Sequence, residues 1–245
     1  GNTGEAPVVL FEYQPTRSGE HARRFLEGFH GFLQTDGYSG YNKVPEVTRC
    51  GCWSHLRRKY QEAMPKSGSL KDSAATVGFE YCNKLFAIER DLEQLSPEKR
   101  KIQRQEQSKP VLEAYWSWLE TVNPLQGSKL GEAITYSVNQ KASLCTFLED
   151  GRIELSNNRA ENAIRPFVLG RKGWLFADTK KGAQASAIAY SIVETAKANG
   201  LNVYMYLVHI FSKMPALDFK TDPSLLEDLM PWSPKLPNYC RNTRH

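Results

Sequence analysis

The sequence predicts an α/β fold interrupted by an all-helical block. Three observations carry that expectation. Short apolar runs rich in β-formers alternate with helical periodicity over the first sixty residues. Strand signals then vanish from about residue 70 to residue 150. Helical faces and a basic segment follow from residue 151 onward.

Val8–Phe11 reads as a first strand, ended by Pro15. Ala22, Phe25, Leu26 and Phe29 then share one helical face, and Gly31 closes that helix. Phe32–Thr35 reads as a second strand ending at Asp36-Gly37, so strand, helix and strand form a right-handed parallel crossover. Residues just past strand C-termini line the functional crevice of open α/β sheets, which places Asp36 there. Val47–Trp53 is a third strand. Ser54 caps the next helix, whose core face carries Leu56, Tyr60 and Met64 and whose other face carries Arg57, Arg58 and Lys59.

The helical block holds three expected helices. Phe79, Cys82, Leu85, Phe86 and Leu92 mark the first. Ser96-Pro97 opens the second, which Pro110 should kink or break before Trp116 and Leu119 continue its stripe. Ile134, Val138, Cys145 and Leu148 mark the third. Gly151–Leu155 reads as a short extended piece, and a helix starts near Asn158. Ala187, Ile188, Ile192, Val193 and Ala196 form another helix face, stopped by Asn199-Gly200, and a last helix spans Val203–Met214. The proline-rich tail after Pro231 should wrap the surface. The expected organisation is thus 1–69 as the first part of a core, 70–150 as an insertion, 151–214 as the returning core and 215–245 as a tail.

The 245 residues are 40 % hydrophobic and 24 % charged, which excludes a disordered, collagen-like or membrane-spanning chain. A formal charge of +5 suits a polyanionic partner without proving one. No apolar run approaches the ~18 residues of a spanning helix. The start, Gly-Asn-Thr-Gly, reads as the edge of an excised piece of a longer chain. Five scattered cysteines suit reduced thiols better than a disulfide scaffold. Cys50-Gly-Cys52 with His55 lacks the second ligand pair that zinc needs, and reads as two small buried residues.

Two acids stand out by position: Asp36 at a strand end and Glu161 in the first turn of a helix, among amides and arginines. Carboxylates suit a hard divalent cation such as Mg²⁺, and arginines suit phosphate. Each acid has a plainer reading. Asp36-Gly37 is ordinary turn chemistry, and Asn158 with Glu161 forms a variant capping box. Arg165 lies one helical turn from Glu161 and could simply pair with it. Arg159, Asn162, Arg165, Arg171 and Lys172 could be a solvated basic face. Trp174 and Phe176 could stack on unpaired bases or belong to a core.

Several long motifs agree in order: Gln34–Tyr41, Gly51–Lys59, Asn157–Pro166 running into Leu169–Phe176, Glu194–Gly200 and Leu229–Trp232. Together they resemble the transposases of the insertion sequence 66 family, over almost the whole chain. The resemblance implies a ribonuclease-H-like mixed sheet with flanking helices, and an Asp-Asp-Glu metal triad that cleaves and transfers DNA strands. The second aspartate maps onto Asp36 and the glutamate onto Glu161, with the helical block between them. The first aspartate has no counterpart: residues 1–35 contain only Glu5, Glu12, Glu20 and Glu27 as acids. The first strands should therefore lie upstream of Gly1, and this fragment alone should be inactive. Implied too are two Mg²⁺ ions, with Mn²⁺ as a substitute, and element-end and target DNA as partners. His55, Arg57, Asn158, Arg159, Asn162, Arg165, Arg171 and Lys172 would be the DNA contacts. A homo-oligomer on DNA, accessory proteins of the same element and a bacterial cytoplasm at the nucleoid, with no membrane, complete the expectation. Alternatives are a non-catalytic nucleic-acid-binding or regulatory remnant, and a metal-dependent nuclease acting on RNA.

Overall fold

The computed structural model describes residues 6–65, 73–174 and 177–242, and of residues 171–174 only the backbone. The chain divides into two compact units. Among the described residues, one holds 16–159 and the other 6–15 with 160–242.

In the first unit, α1 (Gly19–Phe25) starts where the Ser18 hydroxyl accepts the Glu20 N–H. It stops a turn earlier than the apolar spacing predicts. The chain turns at Leu26, and Gly28 takes φ 77°, a left-handed value that a side chain would resist. Phe25 and Phe29 are consequently exposed, not buried on one face. Strand β1 (Gly31–Gln34) pairs in parallel with β2 (Val47–Cys50), in register from Gly31 opposite Val47 to Gln34 opposite Cys50. The parallel pair therefore involves the second and third expected strands, joined through a short 3₁₀ turn at Ser39–Lys43. Strand β2 ends before Trp53 because its backbone leaves the ladder: the Gly51 N–H reaches Ser143 O and the Trp53 N–H reaches Leu155 O.

Helix α2 (Trp53–Ala63) buries Trp53, Leu56 and Tyr60. Against it pack α3 (Ala74–Asp91) through Cys82 and Leu85, α5 (Lys109–Glu120) through Leu112, Tyr115 and Leu119, and α6 (Lys129–Asn139) through Ala133. One continuous core thus joins the strand-bearing segment to the helical block. Several of its polar atoms find partners within it. The Tyr115 hydroxyl lies 2.9 Å from that of Tyr60 and 2.6 Å from that of Ser137, and the Trp53 indole N–H donates to Leu144 O at 2.9 Å.

Two expectations for this block change. Pro110 does not break its helix. Helix α4 (Pro97–Gln103) passes through a π-helical turn, Arg104–Ser108, into α5. Proline clashes with the carbonyl four residues back, here Glu106, and the widened turn makes room for it. The third helix is also two. Helix α6 stops at Gln140, and α7 (Lys141–Cys145) leads into a 3₁₀ turn at Thr146–Leu148. Residues 151–155 form turns, not a strand.

The second unit contains α8 from residue 160 onward (the helix spans Asn158–Trp174), α9 (Lys180–Ala198) and α10 (Val203–Lys213). Val8–Phe11 is not a strand. It runs extended along α9, paired with side chains instead of another backbone. Asn199 Nδ2 donates to Pro7 O at 2.8 Å, the Val9 N–H donates to Thr195 Oγ1 at 3.0 Å, and the Phe11 N–H donates to Ser191 Oγ at 2.8 Å. The match is metric: four helical residues rise ~6 Å and two extended residues ~6.6 Å. The tail does not simply wrap the surface either. Leu236 and Cys240 are buried with Ala196, Leu201 and Tyr206, and the Tyr206 hydroxyl donates to Leu229 O at 2.8 Å.

The described residues are thus mostly helical, with one pair of parallel strands in the first unit. This is compatible with the α/β class, while a ribonuclease-H-like mixed sheet is not among them. None of their helices is long and apolar enough to cross a membrane.

Candidate functional site

Asp36 lies two residues past the end of β1, half-buried. Its Oδ1 accepts the Tyr38 N–H at 2.9 Å, which closes an Asx turn. Among the described residues no hydrogen bond or ion pair engages its other oxygen. A Cβ on Gly37 beside it would stand 2.6 Å from Cε2 of Tyr136, so a side chain there would have to displace that ring. The ring of Tyr136, from α6, therefore lies against the backbone next to Asp36. Burial first, then the nearby Cys52 and Asp36, hold the Tyr136 hydroxyl well above the usual phenol range. Burial, followed by Asp36, raises Tyr41 in the same direction.

Several buried polar atoms of this unit have no hydrogen-bond partner among the described residues: Gln34 Oε1, Arg49 Nε, Tyr136 Oη and Asn157 Oδ1. They belong to residues at or close to the strand ends. Gln34 is the last residue of β1, and its amide N–H donates to Gly51 O at 2.7 Å. The Asn157 N–H donates to Cys52 Sγ at 3.4 Å. Unpartnered buried oxygens cost free energy unless something answers them. A carboxylate oxygen with two amide oxygens is the donor chemistry that a hard divalent cation takes. Asp36, Gln34 and Asn157 carry oxygens of that type. Among the described residues no group of three or more His, Cys, Asp or Glu converges on one point.

Cys50 and Cys52 are both free and buried. Burial pushes the Cys50 thiol up to about 12. At Cys52, burial also opposes ionisation, but hydrogen bonds from His55 and the Asn157 N–H outweigh it and leave the thiol below its ordinary value. His55 is thus engaged with Cys52 at the start of α2. Arg57 is engaged as well: its Nε donates to Asn83 Oδ1 at 2.7 Å, and its guanidinium lies 4.3 Å from the Phe79 ring centre.

Helix α8 begins at Asn158, so Asn157 takes the cap position and Glu161 falls in the first turn, where a negative charge is favoured. Asn158 and Arg159 belong to the first unit and are exposed, and Arg159 lies 3.7 Å from Glu154 Oε1. Glu161, Asn162 and Arg165 belong to the second unit. Glu161 is half-buried, and the other two are exposed. The side chains of Arg171, Lys172 and Trp174, and all of Phe176, lie outside the described residues. Within the first unit, the sequence reading missed Arg49 and Tyr136. A charged residue inside a short apolar strand could have flagged Arg49; Tyr136 carried no signal.

Asp36 thus lies in the first unit and Glu161 in the second. The pattern described as Transposase IS66 family matches residues 1–185, and that of the IS66 C-terminal element matches residues 191–232. The chain belongs to the IS66 family of transposases. Among its relatives from Sinorhizobium fredii (strain NBRC 101917 / NGR234), Uncharacterized protein y4hP is 30 % identical over 244 residues, covering 92 % of this chain and 44 % of the relative. Uncharacterized protein y4qI is 31 % identical over 243 residues, covering 93 % and 43 %. The chain therefore spans less than half the length of these curated relatives. No solved structure matches it.

Proposed function

We propose that this chain is part of the catalytic region of a DNA transposase that cuts and joins strands with a divalent cation. The observation that carries the reading is Asp36: a carboxylate just past the end of a parallel strand, with one oxygen unengaged among the described residues. Asp36 and Glu161 act as metal ligands, and a further aspartate, with the rest of a ribonuclease-H-like sheet, completes the site. Bound Mg²⁺ would activate the attacking oxygen and stabilise the leaving one. Water attacks phosphorus and the P–O3′ bond breaks, leaving a 3′-hydroxyl and a 5′-phosphate. That 3′-hydroxyl then attacks a second phosphodiester, whose own 3′ oxygen departs with a proton.

Arg159, Arg165, Arg171 and Lys172, with Asn158 and Asn162, contact DNA phosphates, and His55 and Arg57 support that surface from α2. The intact protein works as an oligomer on DNA, with accessory proteins of its element, in the bacterial cytoplasm at the nucleoid. The test supplies the intact transposase with DNA carrying element ends, or with an RNA–DNA hybrid. The reading expects nicking of the DNA with Mg²⁺ or Mn²⁺ and none with a chelator. Binding without any nicking, or cleavage of the hybrid alone, overturns it.

A further inference from the structure

Arg49 stands in the middle of the candidate site without the partner its chemistry calls for. It lies in β2, opposite Leu33. Neutral oxygens from three places hold its guanidinium: Asn42 Oδ1 from the 3₁₀ turn, Thr35 Oγ1 at 3.4 Å beside Asp36, and Gln140 Oε1 at 3.4 Å from the end of α6. Among the described residues it forms no ion pair, and its Nε is buried without a hydrogen-bond partner. A half-buried guanidinium ordinarily meets a carboxylate or a phosphate, whose oxygens match its planar fork. Here neutral groups hold it in place, and among the described residues no carboxylate bonds to it.

A second cation reaches the same neighbourhood. The Lys59 ammonium lies 5.6 Å from the ring centre of Tyr136, the ring packed on Gly37. Lys59, Tyr136 and Asn139 line an open groove of about 540 Å³ along α6. Arg49 reaches the same helix one turn on, at Gln140.

We propose that Arg49 and Lys59 form an anion subsite beside Asp36 that takes the phosphodiester backbone of DNA, with Tyr136 and Gln140 of the helical block as its wall. The proposal rests on the reading of this chain as acting on DNA, and gives the helical block a direct part in holding the substrate.

The test measures the affinity of the 245-residue chain for a short DNA duplex across a salt series, with thermal melting as a check on folding. Each phosphate contact contributes about 0.9 to the slope of log affinity against log salt. Arg49→Gln and Lys59→Gln should each make the slope shallower by about 1. Arg49→Lys should restore the slope but not the full affinity, because it keeps the charge and loses the fork. Arg152→Gln, at an exposed arginine paired with Asp150, should leave the slope unchanged. Wild-type slopes in folded Arg49→Gln and Lys59→Gln overturn the subsite and leave the DNA reading standing. If Arg49→Gln fails to fold, Lys59→Gln decides: a shallower slope supports the subsite and a wild-type slope overturns it. A wild-type chain with no salt-dependent affinity for DNA overturns both.

Discussion

Replacing Arg104 with alanine should cost the first unit as much stability as truncating a large aliphatic residue of its core. The side chain is fully buried in the π-helical turn. A guanidinium has five N–H donors, and all five are used. Nε and Nη2 donate to the Glu89 carboxylate at 2.8 and 2.6 Å, Nη1 to the carbonyls of Phe147 and Asp150 at 2.7 and 2.9 Å, and Nη2 again to Ile153 O at 2.8 Å. Arg104 thus ties α4 and α3 to the loop that leads into α8. Alanine would strand a largely buried carboxylate and three carbonyls. Breaking such a pair from one side costs about 3–5 kcal/mol. At ~3 °C per kcal/mol for a unit of this size, melting should fall by on the order of 10 °C. Calorimetry and urea unfolding measure this directly, and amide exchange over residues 147–155 should accelerate. Arg104→Met with Glu89→Gln should recover part of the loss, since no charge is then stranded. Melting within ~2 °C of wild type for Arg104→Ala would refute the reasoning.

Two other predictions concern each unit in turn. Gly37→Ala should destabilise the first unit by about 1–3 kcal/mol through overpacking against Tyr136, and adding Tyr136→Leu should relieve it; chemical denaturation of both variants checks this. In the second unit, His209 is buried with its Nδ1 2.8 Å from the Tyr239 hydroxyl, and burial, then Lys213, holds its pKa below the usual 6.5. A lowered folded-state value favours neutral imidazole. Its contribution is therefore present above about pH 6.5 and lost as pH falls through the lower folded value. Melting of the chain should drop on acidification through that window, and His209→Gln should flatten the drop.

Much of this was legible wherever one period dominates. Leu56 and Tyr60 sit one helical turn apart and reappear on the buried face of α2, and Ser96-Pro97 opens its helix as expected. Asp36 was legible because a short β-rich run stops just before it. Val8–Phe11 was misread because a short apolar run rich in β-formers reports only that a segment is extended and covered. A ladder of Ser191, Thr195 and Asn199 on a helix covers such a segment as well as a neighbouring strand would. Arg104 was not legible, since charged side chains are expected at the surface and only three-dimensional partners reveal otherwise. The second phenylalanine of the α1 stripe failed for a backbone reason: the chain turns at Leu26 and Gly28 before the helix reaches Phe29.

The central claim is that positions 36 and 161 supply the carboxylates that hold the metal. Strand transfer by the intact transposase carrying Asp36→Asn or Glu161→Gln tests it most directly. The account predicts that both variants lose transfer in Mg²⁺ while duplex binding stays within about twofold of wild type, since neither acid is asked to hold DNA. Transfer at the wild-type rate by either variant would contradict it.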